Sequence, residues 1–392
     1  MIQAKVIHII TKMELGGSQQ NTLYTVTHLN RNRFEPFLIT GTGGDLFEDT
    51  EREFKPLFVV PDLIREVNPI KDFKALCRTT KIISSICNSA PCTLPCIVHT
   101  HGAKAGILGR WAARMSGIPI VIHSFHSFGF NDYQPFWLKQ FYIMLERLTA
   151  PITKWTITVS KANRDQGIRL KIINPDRSTV IRSGIDIAHF RNPSVTKSET
   201  RQSLGLTENA PVITMIACLK PQKAPLDFVR ACSTIKRAVP EAHFLLVGDG
   251  VLRPQVTQAV ADCGLEGSFH LLGWRRDISA LLQATNVLAL SSLWEGLPRV
   301  LPQAMAAGIP AVATSVDGSP EAIRDSVNGF LVAPGDVAAL SEKIIYLIKH
   351  PQEAKKMGAR GSDFVGEFDM HAMVTDQENL YEKLLAEYAT HC

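Results

Sequence analysis

Short apolar runs rich in β-branched residues alternate along this chain with longer stretches whose apolar positions recur every three to four residues. In the first half KVIHII, PFLIT, LFVV, CIVHT, PIVIHS, WTITV and STVI have the length and composition of strands. Helical spacing between them predicts helices over about 18–30, 72–87, 104–116 and 136–149. The pattern restarts with PVITMIA and a helix from Ala224, then HFLLVGDG, FHLLG, NVLALS and IPAVATS with helices between. Continuous apolar strands separated by helices build a parallel sheet buried on both faces. Between the two series, the polar RNPSVTKSETRQSLG carries no apolar period and reads as a linker. The expectation is an α/β chain of two doubly wound domains, residues 1–190 and 191–369. Ligands of such sheets bind beyond the C-terminal strand ends, so two in tandem predict an inter-domain cleft lined by both.

The length of 392 residues suits two ordinary domains. Runs such as ITMIACL and VLALSSLW fall far short of the ~20 apolar residues of a membrane span. The N-terminal MIQAKVIHIITKMELGG reads as a first strand and loop, with no signal-peptide pattern, which predicts a cytoplasmic protein. Eight scattered cysteines fit reduced, mostly structural thiols there. Cys87, Cys92 and Cys96 near His99 and His101 match no paired-ligand spacing, so no metal is expected. The net charge of +5 is uneven: residues 1–190 hold 23 Lys+Arg against 15 Asp+Glu, a net of +8, and 191–392 hold 19 against 22, a net of −3. A basic first half suits a phospholipid surface or a diphosphate-bearing acceptor, or is an ordinary solvated face. Nothing points to nucleic acid.

Candidate chemistry is densest in SLWEGLPRVLPQAMAAGIPAVATSVDGSPEAI, residues 292–323. A strand ends at Ser291 and Glu295 follows in a short loop; Gly296 and Pro298 then turn the chain into a helix that stops at Gly308. Pro302 in its first turn costs little, since its missing N–H would have no partner there. Unpaired N–H groups around Leu297 to Arg299 offer a diphosphate site. Gln303 lies eight residues after Glu295, just over a helical turn further in. Lys220 and Lys223, in MIACLKPQKAPLDFVRA, lie three apart in a strand-to-helix loop and can present two ammonium groups to one phosphate cluster. Gly16-Gly17 separates the first strand from the first helix, which Ser18 is placed to cap. His126 follows a strand in PIVIHSFHSF, with His101 and His123 nearby.

The segment around Glu295 resembles the donor site of the retaining glycosyltransferase family 4, whose signature sets two glutamates with seven residues between them in an EGLP…EAMAAG.P context. The resemblance extends over nearly the full chain. It implies the GT-B fold of paired Rossmann-like domains, with a helix at about 370–392 packing back on the first domain. It makes Glu295 the carboxylate that contacts the transferred sugar, within a donor site that also includes Gly296, Leu297, Pro298 and Arg299. Gln303 replaces the second glutamate, which holds the ribose hydroxyls; losing that charge costs on the order of 1 kcal/mol of donor affinity. Lys220 and Lys223 take the place of the basic pair that neutralises the diphosphate, although Cys218 stands where an Arg is commoner. Gly16 and Gly17 match the glycines against the diphosphate and acceptor, and His126 matches a histidine at the transfer centre.

Implied is transfer of a sugar from a nucleotide-diphosphate donor, UDP-linked by expectation, to a hydroxyl with retained configuration. Glu295, His126 and Lys223 form the catalytic set. No cofactor is expected beyond the nucleotide sugar as co-substrate, and with no Asp-x-Asp in the chain no metal clamp of that kind. The basic first half and the helix QPFWLKQFYIMLERL favour a lipid-linked or polysaccharide acceptor at the inner membrane face, with peripheral membrane contact. Alternatives are a nucleotide-sugar epimerase on the same fold, a synthase of a soluble disaccharide, and a catalytically silent subunit, the last motivated by Gln303 and Cys218.

Overall fold

A computed structural model describes residues 4–89 and 94–390. Thirteen strands are defined among them: β1 (Ala4–Ile10), β2 (Phe34–Thr40), β3 (Leu57–Val59), β4 (Cys96–His101), β5 (Ile120–Phe125), β6 (Trp155–Thr158), β7 (Ser178–Val180), β8 (Val212–Ile216), β9 (His243–Val247), β10 (Phe269–Gly273), β11 (Val287–Leu290), β12 (Ala311–Thr314) and β13 (Gly329–Val332). The chain divides into two compact units. One runs to Gly184 and resumes at Met370, and the other spans Ile185–Asp369.

In the first unit the sheet order is β3-β2-β1-β4-β5-β6-β7, with every neighbouring pair parallel. His8 pairs with His99, and His101 with Ser124, so alternation sorts side chains onto two faces. One face carries Ile7, Ile9, Val98 and Val121, covered by Ala105, Ala112 and Ala113 of the helix Ala103–Met115 and by Ile83 and Ile86 of the helix Pro69–Asn88. The other begins with Ala4, Val6, Ile97, Ile120 and Ile122 and is covered by Met373, Val374, Leu380, Tyr381 and Leu384 of the C-terminal helix Met370–Ala389. Towards the strand C-termini this second face turns polar, with His8, His99, His101 and Ser124 all buried.

The second unit has the order β10-β9-β8-β11-β12-β13, also parallel. Its core joins Ile213, Met215, Phe244, Leu246, Ala289 and Val312 of the sheet to Phe228, Val229 and Cys232 of the helix Pro225–Ala238 and Ile344 and Leu347 of the helix Val337–Lys349. The GFLV strand β13 has a sequence signal that the strand reading did not include.

The stretch expected as a linker lies within the second unit and is structured. The helix Lys197–Ser203, opened by a Thr196/Glu199 capping box, occupies the middle of it, and the helix Ile187–Arg191 ends at its first residue. Arg201 is buried and donates to the carbonyls of Thr207, Glu208, Ala210 and Ala284 and to Asn286 Oδ1. A cation placed to satisfy backbone acceptors is core structure, although it reads as solvated polarity. The thiols need a second correction: Cys87 and Cys96 are joined in a disulfide, while Cys77, Cys218, Cys232 and Cys263 are free. Cys92, of the same cluster, lies outside the described residues.

Candidate active site

In the second unit, β8 is flanked by β9 on one side and β11 on the other, so the strand order reverses beside it. Ligands of open α/β sheets bind at such a point, past the strand C-termini. Three loops leave β8, β11 and β12 here and are tied together. Leu293 donates its N–H to the Gln222 carbonyl at 2.8 Å, and Gln222 Nε2 returns a bond to the Trp294 carbonyl at 2.9 Å. Ser291 Oγ bonds the carbonyls of Lys223 and Ala224, both at 3.0 Å. From the third loop, Asp317 Oδ2 accepts the Glu295 N–H at 2.6 Å, and Gly318 donates its N–H to the Gly296 carbonyl at 3.0 Å. The β9 loop closes on the first: a Cβ on Gly248, whose φ is +125°, would lie 2.1 Å from the Ala217 carbonyl oxygen. Only glycine permits that approach.

Inside this frame Glu295 is 6% exposed. Its Oε1 accepts from Ser292 Oγ at 2.6 Å and forms an ion pair with Lys223 Nζ. The ion pair and the hydrogen bond offset the cost of burying the carboxylate. Lys223 closes a 3-10 turn, Pro221–Lys223, that Lys220 opens, and Ala224 then takes a left-handed backbone at φ +43° to launch the next helix. The two lysines therefore play different parts: Lys223 holds Glu295, and Lys220 is half-buried at the head of the turn.

The expected diphosphate site at a helix N-terminus needs correction. The helix is Val300–Ala306, starting after Arg299, and Pro298 has no N–H to offer. Leu297 and Pro298 are buried, and the Pro298 carbonyl already accepts from Leu301. Arg299 is half-buried at the helix cap, and desolvation draws its guanidinium pKa down to about 10. Gln303, half-buried, sits one turn on.

In the first unit, Gly16 caps the helix Gly17–His28 with an extended backbone, φ −145°. Ser18 does not cap it; its hydroxyl bonds Gln19 Oε1 at 2.7 Å, since the helix starts one residue earlier than expected. His126 follows β5, and its Nε2 lies 3.2 Å from His101 Nδ1. His101 Nε2 in turn meets His8 Nδ1 at 3.0 Å. His99 bridges the Tyr381 hydroxyl at 2.7 Å and Ser124 Oγ at 2.8 Å. Burial pulls the His8 pKa down to about 3 and holds His99 and His101 well below the ordinary imidazole value, neighbouring histidines adding to the effect. These rings are neutral, each with one donor and one acceptor nitrogen, so His8, His101 and His126 share one hydrogen-bond direction. A cavity of about 20 Å³, room for one water, opens beside His101 and His126, with Asn21, Thr25, Ser183 and Gln377 in its wall. His8, His99 and His101 each bring a ring nitrogen within 4.8 Å of the others, the reach of a shared metal ion. Both nitrogens of His99 and of His101 are already committed to the bonds above.

The structure thus brings Glu295 and Lys223 into contact and gathers Gly296 into the same knot of loops. Sequence reasoning missed Ser292, Asp317 and Gln222, which hold the knot. It also missed His8; the alternating histidines of VHTH were a signal for a polar face.

Residues 196–364 match the glycosyl transferases group 1 model and residues 15–189 the Glycosyltransferase Family 4 model. An Escherichia coli UDP-Gal:alpha-D-GlcNAc-diphosphoundecaprenol alpha-1,3-galactosyltransferase is 32% identical over 345 residues, 87% of each chain. The chain belongs to glycosyltransferase family 4. A relative from Corynebacterium glutamicum, a GDP-mannose-dependent monoacylated alpha-(1-6)-phosphatidylinositol monomannoside mannosyltransferase, is 30% identical over 46% of this chain and 49% of its own. The crystal structure of Anabaena Alr3699/HepE in complex with UDP and glucose shares the fold at TM-score 0.84 and 20% identity, covering 97% of this chain and 100% of that one. As in its structural neighbours the fold is GT-B, and this family 4 protein is a glycosyltransferase with a nucleotide-sugar donor.

Proposed function

We propose that this family 4 enzyme moves a sugar from a UDP donor to a hydroxyl of a lipid-linked or polysaccharide acceptor, with retained anomeric configuration, at the inner membrane face. The observation that carries the reading is Glu295, buried at the strand-order reversal with one oxygen held by Lys223 and Ser292. In this reading Glu295 accepts hydrogen bonds from the transferred sugar's hydroxyls, and Gln303 bonds the ribose. Lys220 and Lys223 stabilise charge that grows on the departing diphosphate, a preorganised contact stronger in the transition state than before it. Gly296 to Arg299 line the donor, without a helix-terminus role for Pro298. The acceptor hydroxyl attacks from the face the diphosphate leaves, with Gly16 and Gly17 against the diphosphate and the acceptor and His126 at the transfer centre. No metal or further cofactor takes part. The E. coli relative's UDP-galactose donor and diphosphoundecaprenol acceptor support both halves of the donor–acceptor assignment.

The test is a screen of UDP- and GDP-sugars for thermal stabilisation, followed by transfer to a diphosphate-lipid acceptor and analysis of the product's anomeric configuration by NMR. Stabilisation by a UDP-sugar and a retained product are expected. Stabilisation by GDP-sugars alone, or an inverted product, overturns the assignment.

A further inference from the structure

The helix Phe136–Thr149 buries Ile143, Glu146 and Thr149 and turns an apolar stripe outward. Trp137, Phe141, Met144 and Leu148 follow one another at helical spacing and are 70%, 43%, 48% and 59% exposed; Phe136 beside them is 77% exposed. On the adjoining helix Ala103–Met115, Trp111 is 39% exposed, and its indole N–H donates to Thr149 Oγ1 at 3.2 Å, which joins it to the end of the stripe. Aromatic side chains grouped in this way are rare on soluble surfaces and mark something that covers them.

The face is rigid. Arg110 Nη2 and Glu146 Oε2, both buried, form an ion pair at 2.6 Å between the two helices, and Arg110 Nε bonds the Gly106 carbonyl at 2.8 Å. The surround is basic. Arg114 and Arg147 are exposed on these two helices, and Arg147 Nε donates to the Leu170 carbonyl at 2.8 Å, which sets exposed Arg169 and Lys171 beside the stripe. The acid at the head of the helix, Asp132, is ion-paired with Lys139.

We propose that this face docks on an anionic lipid bilayer, with Trp137, Phe141 and Leu148 entering the headgroup boundary and the arginines meeting lipid phosphates. Aromatic rings favour that boundary, and a basic rim adds attraction to acidic lipid. A second copy of the chain is disfavoured as the occupant, because a symmetric contact would set the basic rims against each other. Among the described residues no helix is long and apolar enough to cross a membrane, so attachment here would be peripheral. The surface stands on exposure and charge alone; its service to a lipid-linked acceptor rests on the function proposed above.

The full chain is to be sedimented with vesicles of phosphatidylcholine, with and without phosphatidylglycerol. Expected is binding to the anionic vesicles that weakens as salt rises, reduced roughly tenfold or more in a Trp137→Ser/Phe141→Ser variant. Arg114→Glu/Arg169→Glu should remove the preference for phosphatidylglycerol. All four positions are exposed, so the melting temperature should be unchanged. Equal sedimentation of wild type and both variants overturns the proposal, as does a dimer that the Ser variant breaks while vesicle binding stays the same. UDP-sugar binding measured without vesicles reads the donor assignment separately, so either idea can fail alone.

Discussion

Both units place polar groups at the C-terminal ends of their central strands, and they do so by opposite means. In the second unit the groups are charged and sit in loops: Glu295 with Lys223, fixed by Ser292, Gln222 and Asp317. In the first they are neutral and sit within the strands: His8, His99 and His101 under the C-terminal helix, with His126 at the rim. A charge survives desolvation only beside its counter-charge, and two loops can bring that pair together. An imidazole avoids the cost by giving up its proton, so a row of them can be buried inside a sheet. The first arrangement suits a transition state that develops charge. The second suits fixed orientation of a single ring at the rim.

The widest separation should follow Glu295→Ala. It strands the Lys223 ammonium and removes the proposed sugar contact, so kcat/KM should fall on the order of 10³-fold, and the melting temperature should also drop because a mostly buried ammonium loses its counter-charge. Steady-state transfer at the wild-type rate would remove Glu295 from the chemistry. Lys223→Ala should cost about 3 kcal/mol of transition-state stabilisation, and Lys220→Ala less, because only Lys223 also positions Glu295. Kinetics within twofold of wild type for both would reduce the pair to loop structure.

If Gln303 bonds the ribose as proposed, Gln303→Leu should weaken UDP binding by about 2 kcal/mol, because the ribose hydroxyls then lose that partner. Calorimetry on UDP decides it, and equal affinities mean that Gln303 does not touch the ribose.

The smallest effect belongs to the histidine row. Its folded-state pKa values are lowered, so below an unfolded value near 6.5 the unfolded chain binds more protons than the folded one. The stability these rings contribute is complete above that pH and is lost as pH falls, for His8 down to about 3. Each ring adds a slope of up to ~1.4 kcal/mol per pH unit between pH 6.5 and 5. Urea titrations of wild type and His101→Asn across that range should differ by about one such slope. Identical slopes would mean that the row titrates normally.

Much of the fold was legible because strand and helix periods are local. The helices expected at about 72–87, 104–116 and 136–149 appear as Pro69–Asn88, Ala103–Met115 and Phe136–Thr149. The helix at Lys197–Ser203 was legible in principle, since Thr196 and Glu199 spell a capping box, but the low apolar content around Arg201 masked it. The aromatic helix shows the limit most plainly. Its spacing fits a core-facing stripe and an exposed one equally well, and only packing shows that Ile143, Glu146 and Thr149 point inward while Trp137 and Phe141 do not.

By itself, then, the sequence determined the alternation of strands and helices and the motif around Glu295, because each is encoded by residues within a turn or two of one another. Tertiary structure alone decided the partners. Lys223 and Glu295 are 72 positions apart and meet because β8 and β11 are neighbours in the sheet. His99 meets Tyr381 across 282 positions because the chain returns to its first unit for its last helix. Local periodicity fixes which elements form; which strand lies beside which, and so which charges and rings come within hydrogen-bonding distance, follows from burying all their apolar faces at once.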